Sequence, residues 1–389
     1  MIKNEKTVNQ FNLDSINDNK EKFDLVVGNP PYHLKTKRDG FNSAVYYKYM
    51  EVSQKYADTI SLVYPSRWMQ GGTGIGIKEF RDKELFSKKY EVFYDFPGEK
   101  QIFENNNIIS GINVFLWKNN KNFNYEEHNN IVQDNENDLI KCYYVPKEII
   151  KRNVLTIGRE NVPIRVRDLR FVETVENVYN KSNQFMDEIV HSRAYYGKNF
   201  SSPAVIEKLI EPKENEESLK VYYTKPGHNV ITRKVYPDKT EKNSDNWKVF
   251  VSKIAHAAPN KTIPRPDRLF IGEPNSICSD TYIQIGDFET KIEVENCIKY
   301  LKSNFISLLI GLTISSLTIS KKNFLLTPLI DFKTGEIKIK KSDKVTTETI
   351  VFDKDNLIDE QLYEIFEISN KLRETIAAEI KSWENKTKK

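Results

Sequence analysis

The first part of the chain alternates between short apolar runs and segments in which apolar residues recur at helical spacing. Four runs have the composition of strands: FDLVV (23–27), TISLVYP (59–65), EVFYDF (91–96) and IISGINVFLWK (108–118). Two intervening segments are typical of helices: 43–57, with a stripe of Val45, Tyr49, Val52 and Tyr56, and 80–90. This alternation predicts an α/β domain in which 23–27 is a buried strand of a parallel-rich sheet covered by helices on both faces.

The pattern changes after Lys118. Residues 119–140 are rich in Asn and charge, and from 155 to 330 short β-type runs mix with Pro and Gly without regular helical segments between them. The last stretch has helical periodicity, with one apolar stripe formed by Leu357, Leu362, Ile365, Ile368 and Leu372. We therefore expect an α/β domain at 1–150, an α+β domain at 151–335 and a C-terminal helical segment at 336–389.

Composition narrows the class of protein. With 39% hydrophobic residues the chain can bury a core, and a net charge of +4 is too small to indicate a nucleic-acid partner by itself. Three cysteines and five scattered histidines give no metal-binding pattern. The most apolar stretch, 305–319, is shorter than the ~20 residues of a membrane span, and the N-terminus lacks the apolar core of a signal peptide. We expect a soluble, cytoplasmic protein with no metal and no membrane contact.

The strongest chemical signal is Asn29-Pro30-Pro31-Tyr32, directly after the first predicted strand. Ligands of open α/β sheets bind beyond the carboxyl ends of strands, and two prolines hold such a turn in one shape. The Asn29 side chain and the Pro30 carbonyl offer two acceptors for an exocyclic NH₂ group, and the Tyr32 ring offers a stacking face for a planar base. The alternative is a rigid strand-ending turn without chemistry.

Several segments resemble one family of enzymes. LVVGNPPY (25–32) is similar to the catalytic motif of amino-methyltransferases that use S-adenosylmethionine. YPSRWMQGGTGIGIKEFR (64–81) and YDFPGEKQIFENNNIISGINVFLW (94–117) resemble adenine-N6 DNA methyltransferases of type II and IIG restriction–modification systems. Three later segments resemble the target-recognition regions of those enzymes: VHSRAYYGKNFSS (190–202), NCIKYLKSNFISLLI (296–310) and KKNFLLTPLIDF (321–332).

The resemblance implies a mechanism and roles for particular residues. A target adenine is flipped out of double-stranded DNA, its N6 hydrogens are accepted by Asn29 and the Pro30 carbonyl, and its ring stacks on Tyr32 beside Pro31. Asp14 and Asn29 would contact S-adenosylmethionine, and Phe103 would pack against the flipped base. Asp14 as an N-cap and Phe103 as plain core remain alternatives. Residues 64–67 are expected to line the same cleft, unless Arg67 only pairs with Asp95.

The glycine-rich cofactor turn of the family is not found. Gly71–Gly76 lies after Arg67-Trp68-Met69 rather than at the tip of a first strand, so we interpret it as a loop beside the substrate. The 22 residues before Phe23 contain no glycine. These observations predict a partial, truncated Rossmann-like methyltransferase sheet with an exposed apolar edge, followed by an α+β target-recognition domain and terminal helices. The cofactor half would come from a complementary chain.

DNA contacts are expected within 155–330, where basic and aromatic residues interleave. The candidates for phosphate or base contacts are Arg193, Lys198, Arg233, Arg265 and Arg268. A solvated basic face explains many such residues equally well. Two other functions stay open: a catalytically inactive DNA-binding specificity subunit or remnant, and a methyltransferase for RNA or for a protein glutamine.

Overall fold

The computed structural model describes most of the chain, in two compact units. The described residues are 23–35, 42–70, 76–85, 87, 89–96, 111–122, 131–134, 139–142, 166, 168–191, 202–224, 230–236, 245–255, 263–266, 268–314, 318–342, 344–353 and 357–384. One unit comprises Met1–Phe96 with Gly111–Ile150, and the other comprises Pro97–Ser110 with Lys151–Lys389. Asp14, Phe103, Arg193 and Lys198 lie outside the described residues.

The first unit is built on a six-stranded sheet. Its elements are β1 (Phe23–Gly28), β2 (His33–Lys35), β3 (Asn42–Ala44), α1 (Tyr46–Tyr56), β4 (Ala57–Pro65), a 3₁₀ turn (Ser66–Gln70), α2 (Ile77–Leu85), β5 (Tyr90–Phe96), β6 (Ile112–Lys118), β7 (Ile131–Asp134) and β8 (Leu139–Cys142). The strand order is β1-β4-β6-β5-β8-β7, and β2 and β3 form a separate hairpin. All four predicted strands are present.

The expectation of a parallel-rich sheet is wrong for the described strands. Strands β1 and β4 are parallel, whereas β4–β6, β6–β5, β5–β8 and β8–β7 are antiparallel. Helix α1 makes the crossover that a parallel pair requires, but β6 returns between β4 and β5 without a described helix between β5 and β6. Because β6 is antiparallel to both of its neighbours, β4 and β5 run in the same direction, and α2 connects them as a second crossover around the inserted strand β6.

Helices α1 and α2 pack on one face of this sheet. Their buried residues Tyr46, Met50 and Phe80 share a core with alternate residues of β4 and β6. The predicted stripe of α1 is wrong in phase, because Tyr49, Val52 and Tyr56 are only half-buried. Val45 is the N-cap, with a non-helical φ of −129°, and the helix turns the larger rings of Tyr46 and Tyr47 towards the sheet instead.

Strand β1 lies at the edge of the sheet. On one face Val26 packs against the core, but on the other face Phe23, Leu25 and Val27 are 62%, 52% and 68% exposed. The prediction that 23–27 is a buried strand is therefore wrong for these three side chains. Within the described part of the chain, β1 pairs with β4 on one side and with no strand on the other.

The second unit contains three further sheets. Its elements are a 3₁₀ turn (Leu169–Phe171), α3 (Val172–Lys181), a 3₁₀ turn (Met186–Ile189), β9 (Val190–His191), α4 (Pro203–Ile206), β10 (Leu219–Thr224), β11 (Val230–Val235), β12 (Trp247–Ser252), β13 (Leu269–Gly272), β14 (Ser276–Cys278), β15 (Tyr282–Phe288), α5 (Lys291–Lys302), α6 (Asn304–Thr313), a 3₁₀ turn (Lys321–Phe324), β16 (Glu336–Lys341), β17 (Lys344–Thr349), α7 (Ile358–Ile365) and α8 (Asn370–Glu384). The sheet orders are β11-β10-β14, β13-β12-β15-β9 and β16-β17.

One large core unites most of this unit. The apolar stretch at 305–319 begins as helix α6, which is buried along its length, and α7 and α8 add Leu362, Phe366 and Ile376 to the same core. Asp359 caps α6 by accepting hydrogen bonds from the backbone N–H groups of Asn304 (3.2 Å) and Phe305 (2.8 Å). No described helix is both long and apolar enough to span a membrane.

A buried lysine joins two of these sheets. Lys248 of β12 is fully buried, and its Nζ donates a hydrogen bond to the Ser276 carbonyl of β14 at 2.9 Å. Burial lowers the pKa of Lys248 to about 8, although Asp287, Cys278 and Asp245 act in the opposite direction. The amine is therefore a costly but specific link between the three- and four-stranded sheets.

Candidate active site at the carboxyl end of the edge strand

The segment Asn29–Tyr32 directly follows β1. It lies beyond the carboxyl ends of the strands, next to the place where the parallel strand β4 ends. Asn29 and Pro31 are exposed, Pro30 is buried and Tyr32 is half-buried. Neither the Asn29 carboxamide nor the Pro30 carbonyl forms a hydrogen bond with another described residue. Both acceptor oxygens lie at the carboxyl end of a strand without a hydrogen bond to a described residue, and Asn29 is the exposed one of the two.

Tyr32 contacts residues at the start of α1. Its carbonyl accepts a hydrogen bond from the Val45 backbone N–H at 3.1 Å, and its ring meets Tyr46 edge to face, with centroids 6.4 Å apart. The Tyr32 hydroxyl is buried without a hydrogen-bond partner among the described residues. Burial raises the pKa of Tyr32 to about 12, so the phenol stays neutral at physiological pH. These contacts suit a packing surface rather than an acid or base.

Arg67 comes from the end of β4 and reaches the same place. The neighbouring Ser66 donates its backbone N–H to the Gly111 carbonyl at 3.0 Å, and the other neighbour, Trp68, donates from Nε1 to Asn113 Oδ1 at 2.7 Å. The half-buried Arg67 side chain contacts His33 Nε2 through Nη2 at 2.5 Å. Arg67 therefore lies beside the residue that follows the corner, and the expectation that residues 64–67 and the corner line one cleft stays a prediction.

The partners of Arg67 are electrically neutral. Burial, and then the Arg67 charge, lower the pKa of His33, so this imidazole is neutral at pH 7 and its Nε2 can accept the hydrogen bond. The Arg67 charge also acts on the Tyr46 phenol, whose pKa burial raises to about 12 and whose hydroxyl has no hydrogen-bond partner among the described residues. Among the described side chains no carboxylate pairs with Arg67; the Asp95 side chain, its expected alternative partner, lies outside them.

A layer of aromatic rings supports both residues. Tyr46 packs on Tyr64 with centroids 5.3 Å apart, Tyr64 on Phe115 at 5.0 Å, and Trp68 on Phe80 at 5.4 Å. All these rings are buried. Closely packed rings of this kind leave few alternative rotamers, so the surface under Asn29–Tyr32 and Arg67 is rigid.

The predicted DNA-contacting residues are placed differently from one another. Arg233 of β11 donates from Nη2 to the Leu209 carbonyl at 2.8 Å, and its Nε lies 3.2 Å from Glu211. Its guanidinium thus holds a loop of its own unit. Arg268, before β13, is exposed, whereas Arg265 is half-buried and has a partner in the structure. Of the glycine run, only Gly76 is described; its φ of +88° precedes α2.

A cleft lies at the opposite end of the strands of the first sheet, near the start of β4 and the end of β6. It is lined in part by Glu51, Gln54, Lys83 and Glu84. One of its two carboxylates is engaged, because Glu84 accepts hydrogen bonds from Gln54 at 2.7 Å and from Tyr90 at 3.2 Å. This cleft is distant from the carboxyl ends of β1 and β4 and is not the candidate site.

His33 and Tyr46 were not expected at the site. His33 is the residue directly after the proline corner, and Tyr46 is the first residue of α1, so position in the sequence was the available signal for both. In the described part of the chain no group of three or more His, Cys, Asp or Glu side chains could hold a metal ion.

Comparison with known proteins places this site in a region of similarity. Residues 1–103 match the sequence model of a family described as Eco57I restriction-modification methylase. The chain is also 30% identical over 106 residues to a protein of Mycoplasma pneumoniae named "Uncharacterized adenine-specific methylase". That alignment covers 25% of this chain and 24% of the relative, so the chain spans about a quarter of the relative's length. The family match includes both Asn29–Tyr32 and Arg67.

Proposed function

We propose that this chain is the catalytic and target-recognition part of a DNA methyltransferase that transfers a methyl group from S-adenosylmethionine to N6 of a flipped adenine. The observation that carries the proposal is the corner after β1, where the Asn29 carboxamide is exposed and not engaged in any described hydrogen bond. The similarity of residues 1–103 to a restriction-modification methylase family supports the same reaction.

The two acceptor oxygens define what the corner does. The Asn29 side-chain carbonyl and the Pro30 backbone carbonyl would each accept one N6 hydrogen, which concentrates the lone pair of that nitrogen outside the ring plane. S-adenosylmethionine, when bound, supplies an electrophilic methyl group. After transfer, the surplus proton on N6 leaves to solvent. Tyr32 is not a base in this scheme, because its raised pKa keeps it protonated.

Tyr32 would hold the ring of the flipped base. Extruding a base from a duplex costs a few kcal/mol, and stacking on an aromatic side chain returns about 1–3 kcal/mol per base. The edge contact with Tyr46 fixes the Tyr32 ring before the base arrives. Positioning of this kind lowers the barrier by holding N6 in one orientation.

The described residues fit the amine end of the reaction more fully than the cofactor end. Asn29, at the exposed end of β1, is the described residue that would face the cofactor. Asp14 and Phe103, which we propose for the cofactor adenine and the flipped base, lie outside the described residues. Arg193, Lys198, Arg233, Arg265 and Arg268 remain our proposals for contacts to the DNA backbone, although Arg233 is also engaged with Leu209 and Glu211.

A complementary chain would supply the rest of the cofactor site. Three large apolar side chains of β1 are more than half exposed on an edge strand. The unpaired edge of β1 is a template for another strand, and an element packed on the face that carries these side chains would bury apolar surface at about 25 cal/mol per Å². We propose that the occupant is a methyltransferase half carrying the glycine-rich cofactor turn.

Replacing Asn29 by alanine tests the reaction. The full chain, alone and mixed with a glycine-rich cofactor-binding half, is incubated with double-stranded DNA, and N6-methyladenine is measured by mass spectrometry. We expect the product with the unchanged chain and a loss of about 10²–10³-fold with Asn29→Ala, as for other lost transition-state contacts. Asn120→Ala, at an exposed turn of the same unit, is the matched control.

Two results would contradict the proposal. Undiminished methylation by Asn29→Ala would remove the corner from the mechanism. DNA binding with no methylated product under any pairing would instead favour the specificity-subunit function, and a methylated RNA or protein glutamine would replace the substrate.

A further inference from the structure

Arg67 is a charged group that the proposed methyl transfer does not use. It stands on a short turn after β4, between Ser66 and Trp68, whose side chains are both fully buried. Each neighbour is tied by a hydrogen bond, Ser66 to Gly111 and Trp68 to Asn113. The backbone that carries Arg67 is therefore fixed, and its guanidinium is delivered to the Tyr32 corner in a set position.

The charge of Arg67 is not compensated among the described residues. Its described hydrogen-bond partner is the neutral imidazole of His33. That ring accepts from one N–H group and carries no negative charge. The remaining N–H donors of a half-buried guanidinium can bind an anion in a planar, two-pronged geometry.

We propose that Arg67 binds the phosphate of the nucleotide whose base stacks on Tyr32. This inference rests on the proposed function. Arg67 contacts His33, the residue directly after Tyr32, so the cation lies beside the proposed stacking surface. A planar guanidinium matches two phosphate oxygens at once, which an ammonium does not. The contact would anchor the sugar–phosphate of the extruded nucleotide while Asn29 and Pro30 hold its amine.

Small probes separate this contact from the chemistry. The full chain is titrated with 2′-deoxyadenosine and with its 3′- and 5′-monophosphates, and binding is followed by ligand-observed NMR. We expect one of the monophosphates to bind roughly tenfold tighter than the nucleoside, the size of a hydrogen bond to a charged group, and this advantage to shrink as salt is added. Arg67→Gln should abolish the advantage and leave nucleoside binding unchanged, while Arg67→Lys keeps part of it.

Controls make the outcomes distinct. Lys48→Gln removes an exposed positive charge from α1 of the same unit and should leave the advantage intact. A phosphate advantage that persists in Arg67→Gln overturns the inference, as does an equal loss of nucleoside and monophosphate binding, which would mean a structural role. Weakened binding of S-adenosylmethionine with unchanged monophosphate binding would assign Arg67 to the cofactor carboxylate and also overturn it. If the unchanged chain binds no deoxyadenosine either alone or mixed with the cofactor-binding half, the proposed function itself fails.

Discussion

Replacing Tyr32 by phenylalanine separates the ring of this residue from its hydroxyl. The hydroxyl oxygen is buried without a partner among the described residues, and an unpaired buried polar group costs about 1–3 kcal/mol. Tyr32 as a whole is half-buried, so we take the low end of that range. Tyr32→Phe should raise the free energy of unfolding by about 1 kcal/mol, and the ring should keep its contact with Tyr46.

The same pair of variants tests the stacking role. Tyr32→Phe retains the aromatic face, so kcat/KM for DNA methylation should stay within about twofold of the unchanged chain. Tyr32→Ala removes the face and the stacking energy of about 1–3 kcal/mol, which corresponds to a loss of about 5- to 150-fold. Unfolding in denaturant gives the first quantity, and steady-state methylation gives the second.

Tyr300→Phe is the matched control for stability. The Tyr300 hydroxyl is also buried, but it donates a hydrogen bond to the Pro328 carbonyl at 2.9 Å. Its removal should lower the free energy of unfolding by about 1 kcal/mol, opposite in sign to Tyr32→Phe. If Tyr32→Phe destabilises the chain like Tyr300→Phe, the hydroxyl has a partner. If it abolishes methylation like Tyr32→Ala, the hydroxyl takes part in the chemistry and the stacking argument is refuted.

Two further predictions concern pH and association. The pKa of Lys248 is about 8 in the folded chain against 10.5 ordinarily, so between these values the unfolded chain binds more protons at this residue, which contributes a rise of at most about 3 kcal/mol to the free energy of unfolding. Burial raises the pKa of the Cys278 and Cys297 thiols, which lowers stability over the same range. The lysine contribution is therefore measured as the difference between denaturation curves of the unchanged chain and of Lys248→Met at several pH values; a difference that does not change with pH would contradict it. Replacing Leu25 and Val27 together by lysine should leave folding intact, since both are exposed, but prevent association with the complementary half in sedimentation experiments; unchanged association would contradict the edge proposal.

Local sequence patterns predicted where the strands and helices lie better than they predicted how these elements pair and which of their faces are buried. The run FDLVV has the composition of a strand, and β1 forms there. Apolar composition alone does not distinguish a strand whose side chains are buried from an edge strand whose side chains are exposed. The antiparallel placement of β6 between β4 and β5 depends on how residues outside each run reverse direction, which periodicity does not record. The phase of α1 was missed because Val45 ends up outside the helix as its cap.

The site was predictable as far as it is local in sequence. Asn29–Tyr32 is one short motif whose rigidity follows from its two prolines. The contact between Arg67 and His33 joins residues 34 positions apart. It arises because the parallel strands β1 and β4 are neighbours and their carboxyl ends lie side by side. Arg233 shows the converse, since its partners Leu209 and Glu211 are tertiary neighbours that a count of basic residues cannot reveal.

The two prolines after β1 also limit any extension of the sheet. Pro30 and Pro31 have no amide hydrogen, so a strand that docks alongside β1 can form a ladder only as far as Asn29. The hydrogen-bonded seam must stop there whatever the identity of the added strand. A strand added beside β1 would therefore leave residues 30–32 outside the ladder, so covering the edge and occupying the proposed site would not exclude each other.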